Sequence, residues 1–302
     1  MTMSRSSSPL DPVAAFEQLR PRLFGIAYRM LGEVTEAQDL VQDAYLRWHQ
    51  ADHLAIATPE AWLVAVVTRM AIDRLRHRTA ERETYAGPWL PEPIATDPAS
   101  APSYDVELSS DLSMALLVLL ERLAPDERAA FLLRDVFGAS YEEIAGVLER
   151  SEPAVRQVVH RARLRVRGER QRTPVAPETH AQLLHRFLSA LATEDHEAML
   201  SLFSSDATFV SDGGGKVSAA RNILRGPERI TKFLLGLERK VGHRTRHRIA
   251  ILNGEPAIVT YADGHLFATT AFETDGVQIV GAFRVLNPDK LTHLATELGG
   301  TS

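Results

Sequence analysis

The 302-residue chain contains no cysteine, which excludes disulfide bonds, thiolate nucleophiles and zinc sites with cysteine ligands. This absence fits a reducing compartment, and we expect the protein to be cytoplasmic. No apolar run approaches the roughly 18 residues that a membrane-spanning helix needs. Residues 1–12 are rich in serine and proline and lack the apolar core of a signal peptide, so we expect a short disordered tail there.

The chain also has little net charge, −5 overall, but this average conceals three charged segments. Residues 33–43 carry a net charge of −4 and contain no lysine or arginine. Residues 69–82 carry +3 and residues 152–172 carry +5. One acidic and two basic segments predict one contact with a protein and two with a polyanion. Each charged segment, taken alone, is equally compatible with a solvent-exposed helix face.

Helical periodicity dominates residues 13–82 and predicts three helices. Gly32 ends the first helix, the second is expected over residues 35–49, and Thr58 caps a third that starts with Pro59. Residues 83–111 contain five prolines, so no long helix crosses them. We interpret this segment as a linker, although it also contains the apolar residues Trp89, Leu90 and Ile94.

Residues 112–172 form a second helical block with the sharpest local pattern of the chain. Ser140 is placed to cap a helix, residues 149–151 form a short turn, and a second helix follows. The packed stripe of that helix is Val155, Val159, Ala162 and Val166. These features predict a helix-turn-helix whose second helix enters the major groove of DNA. An ordinary helical hairpin with a basic surface is the alternative.

The predicted DNA contacts of this second helix follow from its basic residues. Arg156 and Gln157, near its start, are placed to reach base edges, and His160 continues the same basic stripe. Arg161, Arg163 and Arg165 are better placed for phosphates.

After residue 178 the pattern changes to short helices followed by strands. Helices are predicted over 180–192, 194–202 and 226–240, and strands over 207–211, 247–252, 257–261, 265–272 and 277–286. Asn253-Gly254, Asp263-Gly264 and Asp275-Gly276 are hairpin signals between the last four strands. The pattern predicts an α+β domain over residues 178–298, in which helices cover one antiparallel sheet.

Three segments resemble bacterial sigma factors of the extracytoplasmic-function class, which lack region three. Residues 39–48, Asp-Leu-Val-Gln-Asp-Ala-Tyr-Leu-Arg-Trp, resemble the polymerase-binding helix of sigma region two. Residues 62–78, with their arginine-rich end, resemble the promoter-reading helix of that region. Residues 123–128, Leu-Ala-Pro-Asp-Glu-Arg, followed by the helix-turn-helix, resemble sigma region four.

The resemblance implies a role for each charged segment. Asp39, Gln42 and Asp43 would meet the basic coiled coil of the RNA polymerase clamp, and residues 50–58 would capture an unstacked base. The second helical block would read the −35 element through residues 156–163. The −10 element would be held by Arg69, Arg74, Arg76 and Arg78.

The C-terminal extension resembles a SnoaL-like domain, a cone-shaped α+β fold. Residues 87–93, 212–216 and 287–291 resemble motifs of a sigma-factor subgroup in which this extension regulates the sigma factor in cis. We hypothesise that Trp89 and Leu90 dock the linker onto this domain, because exposing them to water is unfavourable. Two interpretations of one motif stay open, a glycine-rich turn or a regulatory contact: Asp212, Gly213, Gly214, Gly215 and Lys216.

These features predict a multidomain chain with two all-α sigma modules, the second a helix-turn-helix, and a C-terminal α+β SnoaL-like cone. The first alternative is a one-component regulator that senses a small ligand through the cone. The second is an enzyme fused to a DNA-binding module, with Asp263 and His265 as its acid–base candidates. We expect no cofactor and no metal; the oligomeric state and the target promoters stay open.

Overall fold

The computed structural model describes residues 11–83, 85–96, 112–167 and 175–298, without the side chains of residues 79–83 and 167. Residues 1–10 of the predicted tail lie outside these ranges. Residues 11 and 12 belong to the first helix instead, because Asp11 accepts a hydrogen bond from the Val13 N–H and Pro12 is the first helical residue. Within the described part of the chain, no helix is long and apolar enough to cross a membrane.

The first helical module consists of the three predicted helices. They are α1 (Pro12–Leu31), α2 (Val34–His49) and α3 (Pro59–Glu83). Gly32 ends α1 with a φ of +74°, a backbone conformation that glycine adopts without strain. The three helices share one core, which includes Leu23, Leu40 and Leu63, all without exposed surface.

The second helical module is the predicted helix-turn-helix with two helices before it. Its helices are α4 (Met114–Leu120), α5 (Pro125–Phe131, continued by a π-helical turn over Leu132–Val136), α6 (Tyr141–Leu148) and α7 (Glu152–Arg167). Ser140 and Glu143 cap α6 reciprocally: Ser140 Oγ accepts from the Glu143 N–H, and the Glu143 carboxylate accepts from the Ser140 N–H. The predicted stripe of α7 is buried as expected.

The C-terminal domain is α+β, as predicted, with four helices and one six-stranded sheet among the described residues. The helices are α8 (Pro177–Ala192), α9 (His196–Leu202), α10 (Pro227–Val241) and α11 (Pro288–Glu297). The strands are β1 (Phe203–Asp212), β2 (Leu224–Arg225), β3 (Thr245–Leu252), β4 (Glu255–Ala262), β5 (His265–Thr274) and β6 (Ile279–Val285). Helix α11 was not predicted, because its residues were interpreted only as a sequence motif.

The expectation of a purely antiparallel sheet was wrong. The strand order is β2-β1-β6-β5-β4-β3, and β1 runs parallel to β6. The chain forms β1 and then the short strand β2, which pairs with β1. Helix α10 follows and leads to a meander of strands β3 to β6. The last of these, β6, pairs with β1 in the same direction. Hairpin signals report only on strands that follow each other directly, so this long-range pair left no local signal.

The sheet packs on both faces, and this places the linker. One face forms a core with α8, α9 and α10, which includes Phe187, Phe209 and Phe272. On the other face Leu90 of the linker packs with Phe283 and Val285 of β6. The same face also receives α4 and α11.

Candidate polymerase and promoter contact surfaces

The exposed face of α2 carries the residues predicted to bind polymerase. Asp39, Gln42, Asp43 and Leu46 are exposed and follow each other at i, i+3, i+4 and i+7, so they share one side of the helix. Leu46 keeps 51% of its surface exposed. Asp43 also accepts a hydrogen bond of 2.8 Å from the Arg74 guanidinium. The face therefore combines acidic groups with one apolar side chain.

The four arginines of α3 that were predicted to hold DNA all bind other parts of this chain. Arg69 donates to the carbonyl oxygens of Gly146 (2.7 Å) and Val147 (2.9 Å), both in α6. Arg76 pairs with Asp126 of α5 at 2.9 Å. Arg69 and Arg76 therefore connect the first helical module to the second.

The other two arginines of α3 stay within the first module. Arg74 donates to the Glu36 carbonyl (2.9 Å) as well as to Asp43. Arg78 pairs with Glu33 at 2.5 Å and keeps only 14% of its side chain exposed. In this conformation Arg74 and Arg78 keep only 26% and 14% of their side chains exposed, whereas Arg69 and Arg76 keep 46% and 57% exposed.

The predicted DNA-reading residues of α7 occupy two environments. Gln157, His160 and Arg161 are exposed, and Arg161 lies 3.8 Å from Glu127. Arg163 instead makes a two-pronged contact with Asp135, at 2.7 and 2.9 Å, which raises the pKa of its guanidinium. A buried helix stripe specifies the fold of α7 but not which of its arginines find acidic partners.

Two further arginines of α7 are exposed but also contact other residues of this module. Arg156 is exposed, stacks over the Tyr141 ring at 4.3 Å and pairs with Glu152 at 3.1 Å. Arg165 forms a close ion pair with Glu127. Arg156, Gln157 and His160 therefore share an exposed side of α7.

The linker is anchored to the C-terminal domain through Asp212, which has no exposed surface. One carboxylate oxygen accepts hydrogen bonds from the Leu90 N–H (2.9 Å) and the Lys290 ammonium (2.7 Å). The other accepts from the Tyr85 hydroxyl (2.6 Å) and the Gly214 N–H (3.0 Å). Burial, together with the Asp212 carboxylate, raises the pKa of Tyr85. We name these four partners and Asp212 the linker anchor.

Lys290 binds the linker as well as the anchor carboxylate. Its ammonium donates to the Leu90 carbonyl at 2.5 Å and lies 4.0 Å from the centre of the Trp89 ring. Trp89 in turn lies against Gly32, where an added Cβ would come within 2.7 Å of the ring. Trp89 therefore contacts both the end of α1 and the C-terminal domain. Lys290 was not predicted as a site residue, although it belongs to the motif at residues 287–291.

The glycines of the motif at residues 212–216 allow close packing at the anchor. Gly214 and Gly215 have φ values of +60° and +72°. A Cβ on Gly214 would collide with the Asn287 side chain at 2.4 Å, and one on Gly215 would lie 2.9 Å from Ala86 of the linker. The motif is therefore a glycine-rich turn that also packs against the linker at Ala86. Lys216, by contrast, pairs with Asp289 on the exposed surface.

The linker also reaches the start of α2. The Glu92 carboxylate accepts from the Val34 N–H at 2.7 Å, the first helical residue of α2, where a negative charge is favoured. The Glu92 N–H donates to the Gly32 carbonyl, and its carbonyl accepts from the Tyr28 hydroxyl. Asn253, interpreted only as a hairpin residue, donates to that hydroxyl at 2.7 Å. These residues were missed because their roles depend on contacts distant in sequence.

Glu92 predicts a pH dependence of stability. Burial is the main cause that raises the pKa of Glu92 from 4.5 to about 7, and the charge of Glu33 adds to the increase. The Val34 hydrogen bond and the charges of His293 and Lys290 lower the pKa and so oppose the shift. The folded chain therefore binds this proton more tightly than the unfolded chain. The free energy of unfolding should fall as the pH rises from about 4.5 to about 7, by roughly 3 kcal/mol.

Urea unfolding of the Glu92→Gln variant between pH 5 and pH 8 checks this expectation. Glutamine mimics the protonated carboxyl, so the variant should lack this part of the slope and exceed the parent in stability near pH 8. Glu178→Gln, on the exposed start of α8, is the matched control. Equal slopes in the parent and Glu92→Gln would contradict the assignment.

Comparisons with known proteins identify the family of the two helical modules. The Sigma-70 region 2 family matches residues 15–81, and the Sigma-70, region 4 family matches residues 113–166. The ECF RNA polymerase sigma factor SigJ of Mycobacterium tuberculosis is 38% identical over 93% of both chains. The probable ECF RNA polymerase sigma factor SigI of the same organism is 29% identical over 96% of this chain and 98% of its own.

A solved structure extends the similarity to the whole architecture. The crystal structure of the M. tuberculosis extracytoplasmic function sigma factor SigJ superposes with a TM-score of 0.76 at 37% identity, and the match covers 93% of this chain and 98% of that one. The similarity thus includes the C-terminal domain as well as both helical modules. This chain therefore belongs to the extracytoplasmic-function family of RNA polymerase sigma factors.

Proposed function

We propose that this chain directs promoter-specific initiation by binding core RNA polymerase through the α2 face and the promoter through α3 and α7. The observation that carries the proposal is the exposed acidic face of α2 on a chain that also has a helix-turn-helix. A negative face suits the basic coiled coil of the polymerase clamp. We propose module boundaries at residues 13–82, 83–111, 112–172 and 178–298.

Residues 50–58, between α2 and α3, support a role in capturing an unstacked base. Leu54 is 99% exposed, and the His53 ring lies 4.3 Å from Trp48, which also packs against Trp62. An exposed loop supported by packed aromatic rings suits the capture of a base from melted DNA. Arg156 and Gln157 are proposed to read the −35 element from the exposed side of α7.

We further propose that the C-terminal domain modulates initiation through the linker. The linker anchor holds residues 85–90 on this domain, while Glu92 binds the start of α2, the helix with the polymerase face. Trp89, Leu90 and Asp212 are thus proposed as regulatory contacts, with Gly213, Gly214 and Gly215 allowing the approach. Lys216 is left out of this set because it pairs with Asp289, within its own domain.

Two alternatives have less support. A one-component regulator has no need of an acidic polymerase face, and its sequence would not match sigma regions two and four in order. An enzyme would need its acid–base pair inside the cone. Asp263 instead lies in an exposed hairpin turn with a φ of +50°, paired to Arg244, and His265 is exposed beside it.

Run-off transcription with purified polymerase core tests the proposal. The Asp39→Ala/Gln42→Ala variant should lose core-dependent transcription about tenfold or more, because truncating a central interface residue costs about 1–2 kcal/mol. A chain ending at residue 172 should differ from the full chain, and the direction of the difference gives the sign of C-terminal control.

The control removes one carboxylate and one amide elsewhere, by Glu178→Ala/Gln182→Ala on exposed positions of α8, and should leave transcription unchanged. DNA binding in the absence of core, with no transcription in its presence, would refute the sigma role and favour the one-component regulator.

A further inference from the structure

A cleft in the C-terminal domain has an unusual polar floor. It opens between α8 and α10 and ends on the sheet face opposite the linker. Its walls are mostly apolar, with Phe187, Leu191 and Leu234 among the lining side chains. Its volume is about 460 Å³ with solvent-facing space included, of which about 20 Å³ is open to a water-sized group. That inner space exceeds the ~10–15 Å³ that one water needs.

Arg284 forms the floor of this cleft. Only 9% of its surface is exposed, and its Nε has no hydrogen-bond partner among the described residues. Within the same part of the chain, no carboxylate lies within ion-pair distance of its guanidinium. A buried charge without a partner is strongly unfavourable, and native proteins rarely keep one without a function.

The neighbours of Arg284 complete a polar end of the cleft. Thr270 pairs with Arg284 across strands β5 and β6 and lines the cleft beside it. His247 contacts the Thr260 hydroxyl at 3.0 Å, and its Nε2 lies 3.7 Å from Glu238 of α10 without a hydrogen bond. Glu238 lines the same end of the cleft, and its charge acts on Arg284 as well as on His247, although its carboxylate forms no ion pair with the Arg284 guanidinium.

We propose that this cleft binds the carboxylate of a small aliphatic acid through Arg284. A guanidinium offers a planar fork that matches the two oxygens of a carboxylate. The inner space holds about one water, which the carboxylate would displace at the guanidinium, and the apolar walls of α8 and α10 suit a short hydrocarbon chain in the open part of the cleft. Thr270 is the second donor. A positive floor and an apolar wall thus define the ligand by its chemistry.

The site lies directly behind the linker anchor. Ser211 pairs with Arg284 across strands β1 and β6, and Asp212 is the next residue of β1. Phe283 and Val285, on either side of Arg284, pack with Leu90 on the opposite face of the sheet. A ligand on Arg284 would therefore bind β6, the strand whose opposite face packs on the linker. The binding itself does not depend on the proposed sigma role.

Thermal unfolding of the full chain in sodium acetate, butyrate and hexanoate tests the proposal. At least one acid should raise Tm saturably above sodium chloride of equal ionic strength, and the matching amides should have no such effect. Arg284→Lys should weaken the affinity about tenfold because it keeps the charge and loses the fork. Arg284→Met should abolish the response.

The acid-versus-amide comparison on the parent chain decides the question even if Arg284→Met does not fold. Thr270→Val is then the second variant, and it should weaken the response several-fold. The absence of a saturable response to all three acids would overturn the proposal. An equal response to chloride or to the amides would overturn it as well, as would a full response in Arg284→Met.

Discussion

Covalently joining the two helical modules in the conformation seen here should abolish core-dependent transcription. Arg69 and Arg76 of α3 bind α6 and α5 in this structure, with the Arg69 guanidinium 2.7 Å from the Gly146 carbonyl. The modules also share a core that contains both Leu63 of α3 and Leu132 of the second module. The two modules that carry the proposed −10 and −35 surfaces therefore lie in contact.

The promoter requires these surfaces to be far apart. Elements centred at −10 and −35 are separated by about 25 base pairs, or about 85 Å along B-form DNA at roughly 3.4 Å per base pair. Two modules in contact cannot span this distance, so the binding-competent state must be an open one. Transcription should then follow the fraction of chains that can open.

Because the chain has no cysteine, the lock can be placed specifically. Arg22 of α1 and Phe137 of the second module lie side by side, with the guanidinium 5.9 Å from the ring centre. An Arg22→Cys/Phe137→Cys variant joined by a short, cleavable bis-maleimide holds the modules together. With about nine-tenths of the chains crosslinked, run-off transcription should fall about tenfold, and cleavage of the reagent should restore it.

The same variant before crosslinking and each single-cysteine variant treated with the reagent serve as controls. Neither Arg22 nor Phe137 belongs to the proposed polymerase or DNA surfaces, so these controls should retain activity. Undiminished transcription from crosslinked chains would mean that the modules need not separate, and the proposed division of promoter contacts would fail.

Local signals in the sequence were sufficient for most elements of the fold. Ser140 with Glu143 caps α6, Pro59 begins α3 and Gly32 ends α1, and the chemistry of each signal acts over a few residues. The hairpin dipeptides act over a similar range: Asn253 and Asp263 both have positive φ in the turns where they were predicted. Such signals need no knowledge of the rest of the chain.

Contacts between distant segments were not predictable in the same way. The parallel pairing of β1 with β6, the capping of α2 by Glu92, and the partners of the α3 arginines depend on how the modules pack. An arginine-rich helix end predicts a polyanion contact equally well whether its charges face solvent or, as Arg76 does, an aspartate of another module. Trp89 and Leu90 were predicted as contact residues because large apolar side chains among prolines need a packing partner. The linker motif did not identify Lys290.

Removing the charge of Asp212 alone should release the linker. Asp212 is fully buried and Lys290 is only 6% exposed, so Asp212→Asn leaves a buried ammonium without its counter-ion. Breaking a buried ion pair from one side costs about 3–5 kcal/mol. Amide hydrogen exchange at Leu90, whose N–H binds Asp212, should speed up by two orders of magnitude or more. Transcription should shift towards that of the chain ending at residue 172.

A double-mutant cycle separates the ion pair from the other contacts of the anchor. Lys290→Met on its own should also be destabilising, whereas Asp212→Asn/Lys290→Met should cost less than the sum of the single changes, by about 1–3 kcal/mol, because no unpaired charge remains. Lys216→Met is the matched control: its ion pair with Asp289 is more than half exposed on both sides, so its loss should change stability by less than about 1 kcal/mol. Additive costs in the cycle, or unchanged Leu90 exchange in Asp212→Asn, would mean that the linker is held by its apolar contacts with Phe283 and Val285 rather than by the buried pair.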